Sequence, residues 1–200
     1  MSDDILKAFN DQITLELTAD MTYRQLAIEA DAQNLSGMAA WLRHQADEEI
    51  VHANKFIDHT LDRGSHPRIG TIEAPEVEAG LSALEIFQAA LAHEEKVSEA
   101  IRELYRACTS AGDIDAIPLL QWFINEQIEE EATVGEIVGR IELIVSTPSL
   151  VPATWSPPKT KGDVRPLSGN DMRGLRHGRC AVVARVTNGN PVPVTAANMR

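Results

Sequence analysis

Residues 45–56 read Gln45-Ala46-Asp47-Glu48-Glu49-Ile50-Val51-His52-Ala53-Asn54-Lys55-Phe56, and the fold turns on this stretch. Glu49 and His52 stand three residues apart, close to one turn of an α-helix. Met38, Leu42, Gln45 and Phe56 share their face at steps of three and four. Such a helix shows an apolar stripe to a core, and this stripe is broken in its middle by a carboxylate and an imidazole.

Three further segments repeat the pattern. One stripe is Phe9, Ile13, Glu16, Ala19, Tyr23; another is Phe87, Leu91, Glu94, Val97, Ile101; the last is Phe123, Gln127, Glu130, Val134, Ile137. The periodicity predicts helices over 4–33, 36–63, 82–110 and 114–145. Asn34-Leu35-Ser36-Gly37 separates the first two, with Ser36 as the expected N-cap. Gly112 separates the last two at a helix C-terminus, and Pro118 falls in a first turn, where proline costs little. Ser82 followed by Glu85 reads as a capping box. Between the second and third helices lies Gly64–Leu81, broken by Pro67, Gly70, Pro75 and Gly80. Extended, it reaches roughly 55 Å, more than the ~42 Å of the helices it joins. The expected class is therefore all-α, a four-helix bundle with one long crossover connection, over residues 1–145.

Composition agrees. Aromatics are only 4% while hydrophobics are 44%, which favours helices over sheets. Residues 1–145 hold 10 Lys+Arg against 28 Asp+Glu, whereas residues 146–200 hold 8 against 2. The acidic part argues for cations and against nucleic acid as a partner. No apolar run reaches the ~18 residues of a membrane span, and no apolar run follows the acidic start as in a secretory signal. Cys108 and Cys180 form no CxxC pair and no disulfide framework, so a reducing cytoplasm is the expected compartment. From Thr147-Pro148 onwards prolines forbid a continuing helix. Residues 146–200 read as a Pro/Gly/Arg-rich, largely irregular tail, with one short strand at 181–187.

The polar interruptions carry the chemistry. Glu16 and His52 each lie about 18 residues from the break near 34, and Glu94 and Glu130 about 18 from the break near 112. All four helices thus bring a carboxylate to mid-bundle, roughly 27 Å from a turn. Burying an unpaired carboxylate costs several kcal/mol or more. No Lys or Arg stands near them on the stripes, so protonation or metal must neutralise them. Two divalent cations would cancel Glu16, Glu49, Glu94 and Glu130, with His52 as a nitrogen ligand. Helix-based two-metal sites combine single glutamates with Glu-x-x-His turns. Glu49-x-x-His52 is one such turn, and Gln127-x-x-Glu130 stands in place of the other. An oxygen-rich set with one imidazole suits iron or manganese better than structural zinc. Tyr23, two turns from Glu16, is placed to supply a hydrogen bond or an electron.

Leu15-Glu16-Leu17, Glu48-Glu49-Ile50-Val51-His52, His93-Glu94 and the run Gln121-Trp122-Phe123 to Glu129-Glu130-Glu131 resemble the ferroxidase-centre motifs of bacterial non-haem ferritins, over residues 5–145. The resemblance implies a ferritin-like subunit that oxidises Fe(II) with O2 or H2O2 and stores ferric oxide. Its cofactor would be iron, two Fe per subunit, and its assembly a 24-subunit homo-oligomeric shell. Glu16, Glu49 and His52 would hold one iron; Glu49, Glu94 and Glu130 the second, with Gln127 beside it. Glu48, Glu126 and Glu129 resemble ligands of a third iron. Tyr23 completes the catalytic set. One departure concerns shell assembly: a basic tail stands where the family usually has a short fifth helix lining the four-fold channels.

Other residues read as structural: Trp122 as packing, Cys108 as a small core residue, and His59, His66 and His93 as surface residues. No methionine matches an axial ligand, so no haem is expected. A rubrerythrin-like peroxidase or an oxygenase would more often show a second Glu-x-x-His or a CxxC pair. A metal-binding bundle without catalysis is the remaining alternative.

Overall fold

Ser2 accepts a hydrogen bond from the Ile5 amide and opens α1 (Asp3–Ala32), with Asp3 and Asp4 in the first turn where the helix dipole favours acids. The computed structural model describes residues 1–146. It continues with α2 (Ser36–Asp62), α3 (Ala83–Ser110), a 3-10 turn at Ile114–Ala116 and α4 (Ile117–Ser146). The bundle class and the bounds of the first three helices agree with expectation to within one residue. The fourth begins later, because the chain first tightens into the 3-10 turn. The expectations for the tail, including the strand at 181–187, fall outside the described residues, apart from Ser146, which closes α4.

The helix ends follow from residue type. Asn34 and Gly112 sit at positive φ, 60° and 69°. Both close their helices in the same way: Leu35 N–H bonds the Ala30 carbonyl at 3.0 Å, and Asp113 N–H bonds the Cys108 carbonyl at 2.9 Å. Ser82 and Glu85 form the expected capping box. Ser36 is not the N-cap. Leu35 holds that position without a side-chain cap bond, because Asn34 turns the chain so tightly that α2 begins at once. Leu35 instead packs on the core.

The crossover runs along α1. Arg68 N–H bonds Asn10 Oδ1 at 2.8 Å and Gly70 N–H bonds Thr14 Oγ1 at 2.8 Å. Further on, Gly80 N–H bonds Glu29 Oε2 at 2.9 Å, and Gln33 Nε2 bonds the Leu81 carbonyl at 2.5 Å. From Asn10 to Gln33 is most of a helix, so the connection does travel the bundle's length. Gly70 lies close to α1: an added Cβ would come 3.1 Å from Thr14 Oγ1.

Two apolar clusters fill the bundle. One gathers Tyr23, Leu26, Leu42, Phe87 and Ile137 towards the α1–α2 turn. The other gathers Phe9, Phe56, Ile101, Leu120 and Phe123 towards the α3–α4 turn. The two turns therefore lie at opposite ends. The backbones of α1–α2, α3–α4 and α1–α3 pack closely, while α2 and α4 meet through long side chains. Phe56 and Phe123 stack across that gap with ring centroids 4.1 Å apart. Cys108 is buried as expected, and burial pushes its thiol up to about 11. No helix among the described residues is long and apolar enough to cross a membrane.

Truncating Phe123 to Ala removes one wall of the α2–α4 gap. The expected cost is about 3–5 kcal/mol, read by urea denaturation of the metal-free protein. A loss under about 1 kcal/mol would show that the stacked pair is not part of the core.

Candidate metal centre

Between the two apolar clusters lies a polar layer. Glu16, Glu49, His52, Glu94 and Gln127 are buried, and Glu130 is half-buried. One donor atom from each of Glu16, Glu49 and His52 fits within a 4.8 Å group. A divalent first-row cation bonds such donors at about 2.0–2.2 Å, so a small closure of these side chains makes a three-ligand pocket. His52 Nδ1 lies 3.1 Å from Glu49 Oε2. The i, i+3 spacing of α2 puts them on one face, as the sequence requires.

The other members are arranged differently from a single flat layer. Because the two hairpin turns lie at opposite ends, equal offsets from them stagger the helices. Glu94 meets Tyr23, seven residues or roughly 10 Å beyond Glu16 along α1. The Tyr23 hydroxyl donates to Glu94 Oε1 at 2.5 Å. Gln127 Nε2 donates to Glu94 Oε2 at 3.0 Å, with Ser98 Oγ 3.3 Å away. Gln45 Nε2 donates to Glu130 Oε2 at 3.1 Å. Glu49 feels both groups: after burial, the charges of Glu94 and Glu130 raise its pKa, and after burial Glu49 raises that of Glu16.

Among the described residues, the donors to these carboxylates are neutral or an imidazole. Gln12 Nε2 bonds Glu16 Oε1 at 2.8 Å, and Glu16 Oε2 is buried with no hydrogen-bond partner. Arginines pair elsewhere: Arg24 with Asp20 and Asp47, Arg63 with Asp113, Arg102 with Glu131. Desolvation therefore dominates. Burial first, then the Glu49 charge, holds Glu16 well above the ordinary carboxyl range. Burial first, then Glu94, does the same to Glu49 and pushes Glu130 up to about 8. Burial raises Glu94, against the hydrogen bonds from Tyr23 and Gln127. Tyr23 is itself held well above 10, so it acts as a donor and not as a phenolate. An orphaned buried oxygen, clustered carboxyls and one imidazole form a donor set that fits hard or borderline divalent cations.

Glu48 and Glu126 are half-buried and Glu129 is exposed. Burial raises Glu48, and the Glu126 charge adds to it. Trp122 is 38% exposed and lies edge-on over His52 at 5.9 Å, with Lys55 Nζ 4.6 Å from its ring centre. Its packing is thus against the centre itself. His66 is exposed, whereas His59 and His93 are half-buried, contrary to expectation. His59 stacks on Phe9 at 5.5 Å, and burial, then Lys96, lowers His93 to about 4. The sequence reading gave no role to Gln12, Gln45 or Ser98. Gln12 was within reach, since it precedes Glu16 by four. Gln45 lay on the α2 stripe, but its partner is on α4 and only tertiary structure pairs them.

These features define a helix-bundle protein with a buried, carboxylate-rich cluster that could hold a metal ion. A model of the ferritin-like domain matches residues 6–144. The chain is 34% identical over 140 residues to a bacterial non-heme ferritin of Escherichia coli, covering 70% of this chain and 84% of that one. It is 37% identical over 133 residues to that of Staphylococcus epidermidis, covering 66% and 80%. Among solved structures, an open pore ferritin from the archaeon Archaeoglobus fulgidus superposes with a TM-score of 0.70 at 33% identity, over 72% of this chain and 87% of that one. A PmFTN variant from an iron-soaked crystal gives 0.70 at 28% identity, over 74% and 94%. The chain belongs to the ferritin-like domain family.

The raised carboxyls fix a direction with pH. The folded, metal-free protein holds these protons more tightly than the unfolded chain does. Its stability therefore falls as pH rises from the ordinary 4.5 to about 8, the Glu130 window. Denaturation midpoints of metal-free protein between those limits are expected to fall, and Glu130→Gln to flatten the trend. Divalent cations compete with the same protons, so their affinity rises over this range. Midpoints that rise with pH in the wild type and match those of the variant contradict this reading.

Proposed function

We propose that this chain is an iron-storage subunit that oxidises Fe(II) at paired sites in its bundle and keeps the product inside a homo-oligomeric shell. The observation that carries it is the Glu16–Glu49–His52 cluster beside Glu94 and Glu130, which no Lys or Arg among the described residues pairs with. Membership of the ferritin-like family and the non-heme ferritin names of its relatives support it.

Iron enters here as substrate and cargo. In this reading Glu16, Glu49 and His52 bind one Fe(II), and Glu49, Glu94 and Glu130 the other, with Glu49 bridging. Gln127 and Tyr23 orient Glu94 through their hydrogen bonds. Fe(II) binding displaces the protons that burial holds on the carboxyls. Two Fe(II) give up one electron each. O2 takes the pair with two protons and leaves as H2O2, or H2O2 takes it with two protons and leaves as water. No side chain is assigned as base, since water accepts protons at a centre that already releases them. Glu48, Glu126 and Glu129 are the ligands of a third, more weakly held iron in this reading. The acidic bundle draws cations in and offers carboxylates for nucleation. The assembly is a closed shell of about 24 subunits, working in the cytoplasm.

Two measurements test this. Aerobic Fe(II) addition is expected to give rapid oxidation and soluble particles holding far more than the roughly two irons a helix-bundle pair site takes. Glu49→Ala or His52→Ala is expected to slow the oxidation at least about tenfold. Uptake that stops at the pair site removes storage. Unchanged oxidation rates in both variants leave only a metal-binding bundle.

A further inference from the structure

We propose that Gln45 is a positioning residue for the centre, tying Glu130 on α4 to α2 and so setting the affinity of the second metal position. The proposal rests on the two-metal reading above.

The four carboxylates are not held equally. Glu16 is fully buried and bonded by Gln12. Glu49 faces His52 within its own helix turn. Glu94 is gripped from two sides by Tyr23 and Gln127. Glu130 is the half-buried member, on the helix whose backbone keeps its distance from α2. Its side chain has the most room to swing outwards, where Glu126 and Glu129 share its helix. A single amide crosses the gap to it, from Gln45, which is itself only 3% exposed. The same side chain also lies near enough to Glu48, one turn along α2, to oppose the rise that burial gives that carboxyl. Gln45 thus stands between the buried pair site and the acidic residues at its rim.

The choice of residue matters chemically. A glutamine amide orients a carboxylate without cancelling its charge, so Glu130 keeps its full attraction for a cation. A lysine or arginine at 45 would satisfy Glu130 permanently and compete with metal. Leucine would leave the carboxylate free to rotate, and a floppy ligand loses affinity through the rotamer freedom it gives up on binding.

The test is calorimetric titration of the metal-stripped full chain with Zn(II), a redox-inert probe. Wild type is expected to take up two ions per chain at the centre. Gln45→Leu is expected to keep the first equivalent, which uses Glu16, Glu49 and His52, and to weaken the second about tenfold to a hundredfold. A general packing defect would weaken both, so equal loss at both positions overturns the proposal, as does an unchanged second equivalent. Should the Leu variant lose its helical circular dichroism, Gln45→Met keeps the length and decides by the same outcomes. Wild type that takes up fewer than two ions overturns the two-metal reading itself, which the variant comparison then no longer concerns.

Discussion

Carboxylates buried without a Lys or Arg partner among the described residues are the constraint to which the rest of this bundle is fitted. An ionised glutamate in an apolar interior costs several kcal/mol even after relaxation, a large share of the 5–15 kcal/mol that holds a typical domain together. Here Glu16, Glu49 and Glu94 are at most 3% exposed. The fold tolerates them by placing an apolar cluster on either side and leaving the polar layer as a band between. The described arginines that could neutralise them are spent on outer pairs such as Arg24 with Asp47 and Arg63 with Asp113. What remains inside is a set of neutral donors: Gln12, Gln45, Gln127 and Tyr23. They orient the carboxyls and leave their charge to be met by protons or by metal.

Connectivity gives that band its shape. A long connection between α2 and α3 allows the two hairpins to point opposite ways, and its hydrogen bonds to Asn10, Thr14 and Glu29 hold it against α1. With turns at opposite ends, residues equally far from their own turns are staggered along the axis. Glu94 thus reaches Tyr23 and Glu130 reaches Gln45, while Glu16 stays with His52. The polar band becomes elongated, with the Glu16–Glu49–His52 group towards one end and Glu94 with its Tyr23 and Gln127 partners towards the other.

Much of this was legible in the sequence, and the reasons are local. Stripe periodicity, the Ser82–Glu85 capping box and the positive-φ residue Gly112 act over three or four residues, so the bounds of the first three helices follow within a residue. Glu49 and His52 likewise share a face by spacing alone. What escaped depends on distance. Ser36 lost the cap to Leu35 because of how Asn34 turns the chain and where Leu35 packs. His59 and His93 were expected at the surface, but Phe9 covers one and the other has a buried ring nitrogen. The stagger of Glu94 needed the relative direction of two turns, which no periodicity encodes. Gln45 lay on the right face, yet nothing within α2 indicates that its partner is Glu130.

The neutral donors also suit a centre that would bind and release a cation, as the proposed iron-storage role requires, over one that would keep it as a fixed part of the core. A cationic side chain among Glu16, Glu49, Glu94 and Glu130 would stabilise the empty fold, because it would offset the desolvation of at least one carboxylate. The same contact would remain when metal arrived and would have to be broken or repelled. Glutamine and tyrosine impose no such competition, since a carboxylate oxygen that accepts one N–H or O–H retains lone pairs for a cation. The empty state is left carrying protons that a divalent ion displaces, at the expense of stability near neutral pH. A bundle built for permanent metal would gain nothing from that compromise, whereas one that loads Fe(II) repeatedly depends on it.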